Sequence, residues 1–80
     1  MTVRVLLFAS YADVLGAAAI DVDLPAGATV RELVASVRQR AGADRLPPAP
    51  LVAVNQSYAS LDTRIAEHDE VAIIPPVAGG

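Results

Sequence analysis

The residues that bear most directly on chemistry are the last two, Gly79 and Gly80. Neither has a Cβ atom, so the pair can lie extended in a channel too narrow for any side chain and present its carboxylate to another protein. A free α-carboxylate has a pKa of about 3.5, so it is ionised at neutral pH and is a poor electrophile until it is activated. The pattern predicts that the reactive group is a backbone carboxylate, which another enzyme activates.

The other residue types that could carry chemistry are isolated. His68 stands between Glu67 and Asp69, and without further partners it is expected to be a solvated turn residue rather than a metal ligand. Asp21 and Asp23 alternate with apolar residues, which is typical of the polar side of a half-buried strand. Cysteine is absent, which removes thiolate ligands and a thiol nucleophile and fits a reducing compartment. We therefore expect no metal site.

Composition favours one small domain. The chain has 80 residues, an apolar content of 54% and a net charge of −3. A chain of this length buries only about 60% of the surface that its unfolded form exposes, so the core is small. The basic residues are all arginines and are scattered, which leaves no basic stripe for nucleic acid. With no apolar run near the length of a membrane span and no signal-peptide pattern, we expect a soluble cytoplasmic protein without membrane partners.

The first part of the chain has two strand patterns separated by a helical turn. Thr2 to Phe8 is predicted to be a strand, and Ser10 could cap a short helix that Gly16 ends in the left-handed conformation. Apolar residues from Ile20 to Leu24 then alternate with aspartates, which predicts a second strand. The two strands are expected to form a hairpin.

The main helix begins at a capping box, Thr29-Val30-Arg31-Glu32, and ends at Gly42. Its apolar residues recur at helical spacing and predict one buried stripe: Val30, Leu33, Val34, Val37 and Ala41. The proline-rich segment 43–50 is expected to be a surface loop. It precedes a third strand, Leu51 to Asn55.

Two further strands complete the pattern. Asn55-Gln56 is predicted to turn the chain into a short strand around Tyr58. After an irregular connection and a tight turn at Glu67-His68-Asp69, the last strand runs from Glu70 to Ile74 and ends at two prolines.

Strand parity places large apolar side chains on the sheet face away from the helix. If Leu7 and Ile73 point into the core, Phe8 and Ile74 point the other way. Such a patch usually marks an interface. The alternative is that these side chains only fill gaps at the sheet edge.

Several segments, together with the order of elements, carry a resemblance to a known family. They are Phe8-Ala9, Thr29-Val30-Arg31-Glu32-Leu33, Val52-Ala53-Val54-Asn55-Gln56, Asp69-Glu70-Val71-Ala72 and Pro75-Pro76-Val77-Ala78-Gly79-Gly80. Over nearly its whole length the chain resembles the small subunits of molybdopterin synthase, which are sulfur carriers of the MoaD/ThiS superfamily. The resemblance implies an α+β, ubiquitin-like β-grasp fold, with a mixed sheet of about five strands around one main helix. It divides the chain into a β-grasp domain at 1–76 and a flexible diglycine tail at 77–80.

The resemblance also implies a function. The carboxylate of Gly80 would be adenylated with ATP by an E1-like enzyme and, with a sulfurtransferase, converted to a thiocarboxylate. Its sulfur would go to cyclic pyranopterin monophosphate in molybdenum cofactor biosynthesis. The chain would bind no permanent cofactor, and catalysis would reside in the large synthase subunit, with which it would form a heterotetramer. The implied partner-binding positions are Phe8, Tyr58, Ile74, Pro75, Pro76, Val77, Ala78 and Gly79.

Two alternatives remain open at this point. The first keeps the carrier chemistry but changes the acceptor, to thiamine-thiazole, cysteine or tRNA thiolation, because these carriers share the diglycine. The second is a β-grasp binding module whose diglycine is incidental.

Overall fold

The elements of the fold follow the predicted order. The structure is a computed structural model that describes residues 1–41, 46 and 50–75. The elements are β1 (Thr2–Leu7), α1 (Ala9–Leu15), β2 (Ala19–Asp23), α2 (Val30–Ala41), β3 (Leu51–Val54), β4 (Ser57–Tyr58) and β5 (Val71–Ile74). Three strands are one residue shorter than predicted: Phe8 follows the end of β1, Asn55 follows the end of β3, and Glu70 precedes β5. No helix in the described part of the chain is long and apolar enough to cross a membrane.

The strands form one mixed sheet in the order β2-β1-β5-β3-β4. The predicted hairpin is confirmed, since β1 and β2 pair antiparallel. At the centre β1 runs parallel to β5, with Leu7 opposite Ile73. The C-terminal ends of two parallel strands lie at the same edge of a sheet. The chain therefore leaves β5, at Pro75, beside the junction of β1 and α1.

The core lies between α2 and one face of the sheet. Val30, Leu33, Val34 and Val37 are buried on α2, as its periodicity predicted. The sheet contributes the alternate residues of its central strands, which are Val3, Val5, Leu7, Val71 and Ile73. Each buried side chain of this size stabilises the fold by about 1.5–3 kcal/mol. The structure does not describe the Ala41 side chain. Gly42 and most of the predicted loop also lie outside the described residues.

One residue of that loop, Leu46, belongs to the core. It is only 5% exposed, although the segment was predicted to run over the surface. Its carbonyl accepts a hydrogen bond of 3.5 Å from the Arg38 guanidinium of α2. The proline-rich connection is therefore tied to the helix that precedes it.

The ends of α1 agree only partly with prediction. Gly16 ends the helix with a φ of 70°, in the predicted left-handed conformation, and its N–H donates to the carbonyl of Ala12. The prediction that Ser10 caps the helix is wrong. Phe8 occupies the N-cap without a side-chain hydrogen bond, and Ser10 lies inside the helix. The helix begins earlier because Ala9 adopts a positive φ of 49° and turns the chain directly after β1.

The start of α2 is capped by a distant segment as well as by its own threonine. The Thr29 hydroxyl accepts the Glu32 N–H at 3.5 Å, which is one half of the predicted capping box. The N–H groups of Val30 and Arg31 donate to the carbonyls of Thr63 and Leu61 at 2.9 and 3.0 Å. The irregular connection between β4 and β5 thus satisfies the helix N–H groups that have no partner within the helix.

A two-residue turn joins β3 to β4. Asn55 and Gln56 have φ values of 51° and 71°, and the flanking residues Val54 and Ser57 are paired. Two positive φ angles in a two-residue hairpin are those of a type I′ turn, in which the second position is usually glycine. Gln56 therefore holds a conformation that its side chain disfavours.

We predict that Gln56→Gly stabilises the protein and that the same change at Gln39 destabilises it. Glycine at 56 relieves a left-handed penalty of about 1–2 kcal/mol, which exceeds its entropy cost, so the free energy of unfolding should rise by about 0.5 kcal/mol. Gln39 is exposed on α2, where glycine should lower the free energy of unfolding by about 0.5–1 kcal/mol. Urea denaturation measures both changes. A loss of stability in Gln56→Gly would contradict the assigned turn.

Candidate functional site

A row of apolar side chains lies where the chain leaves the sheet. We call the sheet face opposite α2 the outer face. Leu51 of β3 pairs with Ile74 of β5. Phe8 follows the Leu7–Ile73 pair in extended conformation, with φ −127° and ψ 151°, so it continues the alternation of β1. Cross-strand neighbours share a face, which places Phe8, Ile74 and Leu51 side by side on the outer face.

A second apolar row runs parallel to the first. Leu6 pairs with Ala72, Ala72 with Ala53, and Ala53 with Tyr58. Tyr58, on the edge strand β4, is 75% exposed. We call the two rows together the outer patch: Leu6, Phe8, Leu51, Ala53, Tyr58, Ala72 and Ile74. A continuous apolar surface of this kind is typical of a protein-binding site.

Three of the four described members of the predicted site, Phe8, Ile74 and Pro75, lie where the chain leaves the sheet. Phe8 is 47% exposed, while Ile74 and Pro75 are half-buried. Phe8 and Ile74 are neighbours across β1 and β5, whereas Tyr58 lies on the far side of β3. The other predicted positions lie outside the described residues, and their roles stay predictions: Pro76, Val77, Ala78, Gly79 and Gly80.

Sequence reasoning did not include Leu51 in the site. This leucine is 38% exposed and stands next to Ile74 on the outer face. The signal was present, because Val52 belongs to the core and strand alternation then directs Leu51 and Ala53 outward. The small size of Ala53 and Ala72 leaves the middle of the patch flat.

The opposite end of the outer face is polar. Arg4 and Asp21 form an ion pair of 3.8 Å between exposed side chains. The Thr2 hydroxyl donates to the Asp23 carboxylate at 2.7 Å. Arg40 of α2 donates to the backbone carbonyl of Asp21. Exposed ion pairs contribute about 0–1 kcal/mol, so this region is a solvated face, as the alternation of β2 predicted.

A hydrogen-bonded cluster fixes the start of β5. The Asn55 amide donates to the Asp69 carboxylate at 2.9 Å and accepts the Glu70 N–H at 3.0 Å. The Asn55 backbone N–H donates to the carbonyl of Glu70 at 2.7 Å. The second Asp69 oxygen accepts the Ala66 N–H at 2.7 Å. We call these contacts the Asn55–Asp69 clasp, and they join the β3–β4 turn to the turn before β5.

The clasp also affects the charge of Asp69. The hydrogen bond from the Ala66 N–H and then the one from Asn55 lower the pKa of the Asp69 carboxyl. Hydrogen bonds to the ionised form favour that form. His68, in the same turn, is exposed, as predicted. Among the described residues, no three His, Cys, Asp or Glu side chains form a group that could hold a metal ion, and no ligand-sized pocket is found.

The helix next to the C-terminal end of β5 is anchored by a buried tyrosine. Tyr11 of α1 is fully buried, and the Arg38 guanidinium donates to its hydroxyl at 3.5 Å. Burial raises the pKa of the Tyr11 hydroxyl, and the contact with Arg38 acts in the opposite direction. The first turn of α1 therefore has a fixed position between the sheet and α2.

This architecture is that of the ubiquitin-like β-grasp proteins, as predicted. The crystal structure of H. volcanii small archaeal modifier protein 1 superposes with a TM-score of 0.83 at 28% identity, over 95% of this chain and 98% of that protein. The Amycolatopsis orientalis BexX/CysO complex contains a chain that matches with a TM-score of 0.69 at 25% identity, over 98% of this chain and 99% of that one.

Sequence comparison defines the family within that fold. The ThiS family matches residues 5–80, and the chain belongs to this family. The molybdopterin synthase sulfur carrier subunit of Dictyostelium discoideum is 38% identical over 84 residues, covering 96% of this chain and 94% of that protein. The protein of the same name from Escherichia coli K12 is 35% identical over 80 residues, covering 98% and 99%.

We predict that Asp69→Asn lowers stability in a pH-dependent way. The pKa of Asp69 in the folded state lies below its ordinary value of 3.8. The ionised carboxylate therefore makes its full contribution to stability at pH values above the ordinary pKa. This contribution is lost as the pH falls through the folded-state pKa. The difference in unfolding free energy between wild type and Asp69→Asn should be constant near neutral pH and shrink below about pH 4.

The neighbouring Glu67→Gln is the control for that measurement. Glu67 is exposed and takes no part in the clasp, so the free energy of unfolding of Glu67→Gln should match that of the wild type across the pH series. Urea denaturation at a series of pH values tests both variants. A pH-independent deficit in Asp69→Asn would show that the carboxylate charge does not stabilise the clasp.

Proposed function

We propose that this chain is the sulfur-carrier subunit of a molybdopterin synthase. The observation that carries the proposal is the position of the outer patch, which borders the point where the chain leaves β5 toward Gly79-Gly80. A partner that binds the patch receives the tail at the same site. The names of the Dictyostelium and E. coli relatives support the choice of molybdopterin synthase over other sulfur acceptors.

The chemistry of the proposed carrier takes place at one carbonyl carbon. An adenylating E1-like enzyme joins the Gly80 carboxylate to AMP and releases pyrophosphate from ATP. The outer sulfur of a sulfurtransferase persulfide attacks the acyl carbon and displaces AMP, and a thiol reductant then cleaves the resulting acyl disulfide and leaves a thiocarboxylate. The sulfur of this soft, polarizable anion then bonds to an activated carbon of cyclic pyranopterin monophosphate and displaces an oxygen leaving group there. Hydrolysis of the resulting thioester leaves the sulfur on the pterin and returns the Gly80 carboxylate. The chain supplies the nucleophile, and the large synthase subunit supplies the substrate pocket and the catalytic groups.

The length of the segment that ends in the tail suits this role. When extended, the segment from Pro75 to Gly80 spans at most about 20 Å. This length lets Gly80 enter a partner's active site while the globular body stays outside. Proline at 75 and 76 restricts the backbone at the base of that arm. The proposed location of these reactions is the cytoplasm.

The partners must share one docking surface. The adenylating enzyme and the large subunit both need the same tail, so we propose that they bind the outer patch in turn. The A. orientalis BexX/CysO complex supports only the general point that a chain of this fold assembles with another protein.

Removal of Gly80 tests the carrier chemistry. The wild-type chain, incubated with the adenylating enzyme, ATP and a sulfur source, should gain the mass of one oxygen-to-sulfur replacement at Gly80. With the large subunit and cyclic pyranopterin monophosphate it should then yield molybdopterin. The shortened chain should fold normally, by circular dichroism, and do neither.

Gly80→Ala is the matched control, because it keeps the length and the carboxylate and adds only a methyl group. It should be activated more slowly than wild type if the partner channel admits no side chain. Molybdopterin formation by the shortened chain would refute the carrier. Thiocarboxylation followed by transfer only to thiazole, cysteine or tRNA would support one of the other sulfur carriers.

Two exposed leucines test the docking surface. Leu51 belongs to the outer patch, whereas Leu61, which is 44% exposed, lies in the segment that caps α2. We predict that Leu51→Asp weakens binding to the large subunit about tenfold or more, since a buried interface side chain contributes about 2 kcal/mol. Leu61→Asp should bind as wild type. Titration calorimetry measures both, and equal effects would place the interface elsewhere.

A further inference from the structure

Ala9 adopts a backbone conformation that alanine rarely adopts. Its φ of 49° lies in the left-handed region, where the Cβ atom approaches the following carbonyl oxygen. The position is the junction between β1 and α1, next to the base of the tail. Non-glycine residues persist in this region only when the surrounding structure holds them there, and such residues cluster at functional sites.

Two buried side chains hold this junction. Leu7, at the end of β1, is 3% exposed, and Tyr11, in the first turn of α1, is fully buried. The Tyr11 N–H donates to the Phe8 carbonyl at 3.1 Å and closes the turn around Ala9. The short segment between the two anchors therefore has little freedom, and its unfavourable φ is offset by the burial on either side.

The first residue of this turn is the exposed phenylalanine of the outer patch. Phe8 is extended and 47% exposed, although a buried residue lies on each side of the turn. An ordinary right-handed Ala9 would send the chain from Phe8 in another direction. Either Tyr11 would then leave the core, or Phe8 would rotate away from Ile74.

We propose that Ala9 is a positioning residue, whose left-handed backbone presets Phe8 on the outer face before a partner arrives. This inference rests on the proposed function, because it gives the docking surface a rigid aromatic anchor. An anchor that is already ordered loses less conformational entropy on binding, and preorganisation of this kind raises affinity without adding a contact.

A double-mutant cycle tests whether Ala9 acts through Phe8. Ala9→Val introduces a β-branched side chain that disfavours a positive φ, while Ala9→Asn and Ala9→Gly tolerate it. Binding to the large subunit should weaken about tenfold in Phe8→Ala and by a similar factor in Ala9→Val. Ala9→Asn and Ala9→Gly should stay within about twofold of wild type. Ala9→Val combined with Phe8→Ala should bind no more weakly than Phe8→Ala alone.

A measurement on the unchanged chain keeps the inference testable if Ala9→Val fails to fold. Three-bond coupling constants report φ at Ala9, and nuclear Overhauser effects report the distance from the Phe8 ring to the Ile74 methyl groups. Both should show the left-handed Ala9 and the Phe8–Ile74 contact in the free protein and again in the complex. A negative φ at Ala9 in the free protein would overturn the inference.

The outcomes separate the inference from the function on which it rests. If the wild-type chain does not bind the large subunit, the proposed function fails and the inference fails with it. If the wild type binds but the effects of Ala9→Val and Phe8→Ala add, the inference alone is overturned. The inference would also be overturned if Ala9→Asn bound as weakly as Ala9→Val. Both substitutions would then weaken binding for a reason other than the φ angle at position 9.

Discussion

The parallel pairing of β1 with β5 is the constraint on which the rest of the structure depends. It joins two segments from opposite ends of the chain at the centre of the sheet and aligns Leu7 with Ile73. The C-terminal ends of both strands consequently lie at one edge of the sheet. At this edge Phe8 precedes α1, and Pro75 leads toward the tail. An antiparallel arrangement of the same strands would separate the exposed aromatic side chain from the tail by the length of the strand.

The two faces of this small sheet have different tasks. The inner face and α2 build the core from alternate aliphatic side chains of the central strands, which include Val3, Val5, Leu7, Val71 and Ile73. The outer face keeps an apolar surface that no described element covers, and its polar end is solvated. In a chain of 80 residues, stability and recognition are thus divided between alternate residues of the same strands. This division explains why both faces of β1 are apolar near its end.

Local patterns in the sequence were sufficient for most of the fold. Alternation in β1 and β5 predicted the outward position of Phe8 and Ile74, and the 3.6-residue period predicted the buried stripe of α2. Long-range contacts could not be read in this way. The Asn55–Asp69 clasp joins residues that are 14 positions apart, and Leu46 is buried only because α2 provides a site for it. Ser10 failed as a cap because the positive φ of Ala9 has no local sequence signal.

The contact between Arg40 and the Asp21 carbonyl bears on self-association. β2 is an edge strand, and an open strand edge is a template on which another strand can add. A second copy that paired with β2 through its own β2 would have to displace the Arg40 guanidinium and bring the aspartates of both copies together. The Arg40 contact therefore protects the β2 edge against strand addition, so that the molecule does not associate through its backbone at that edge.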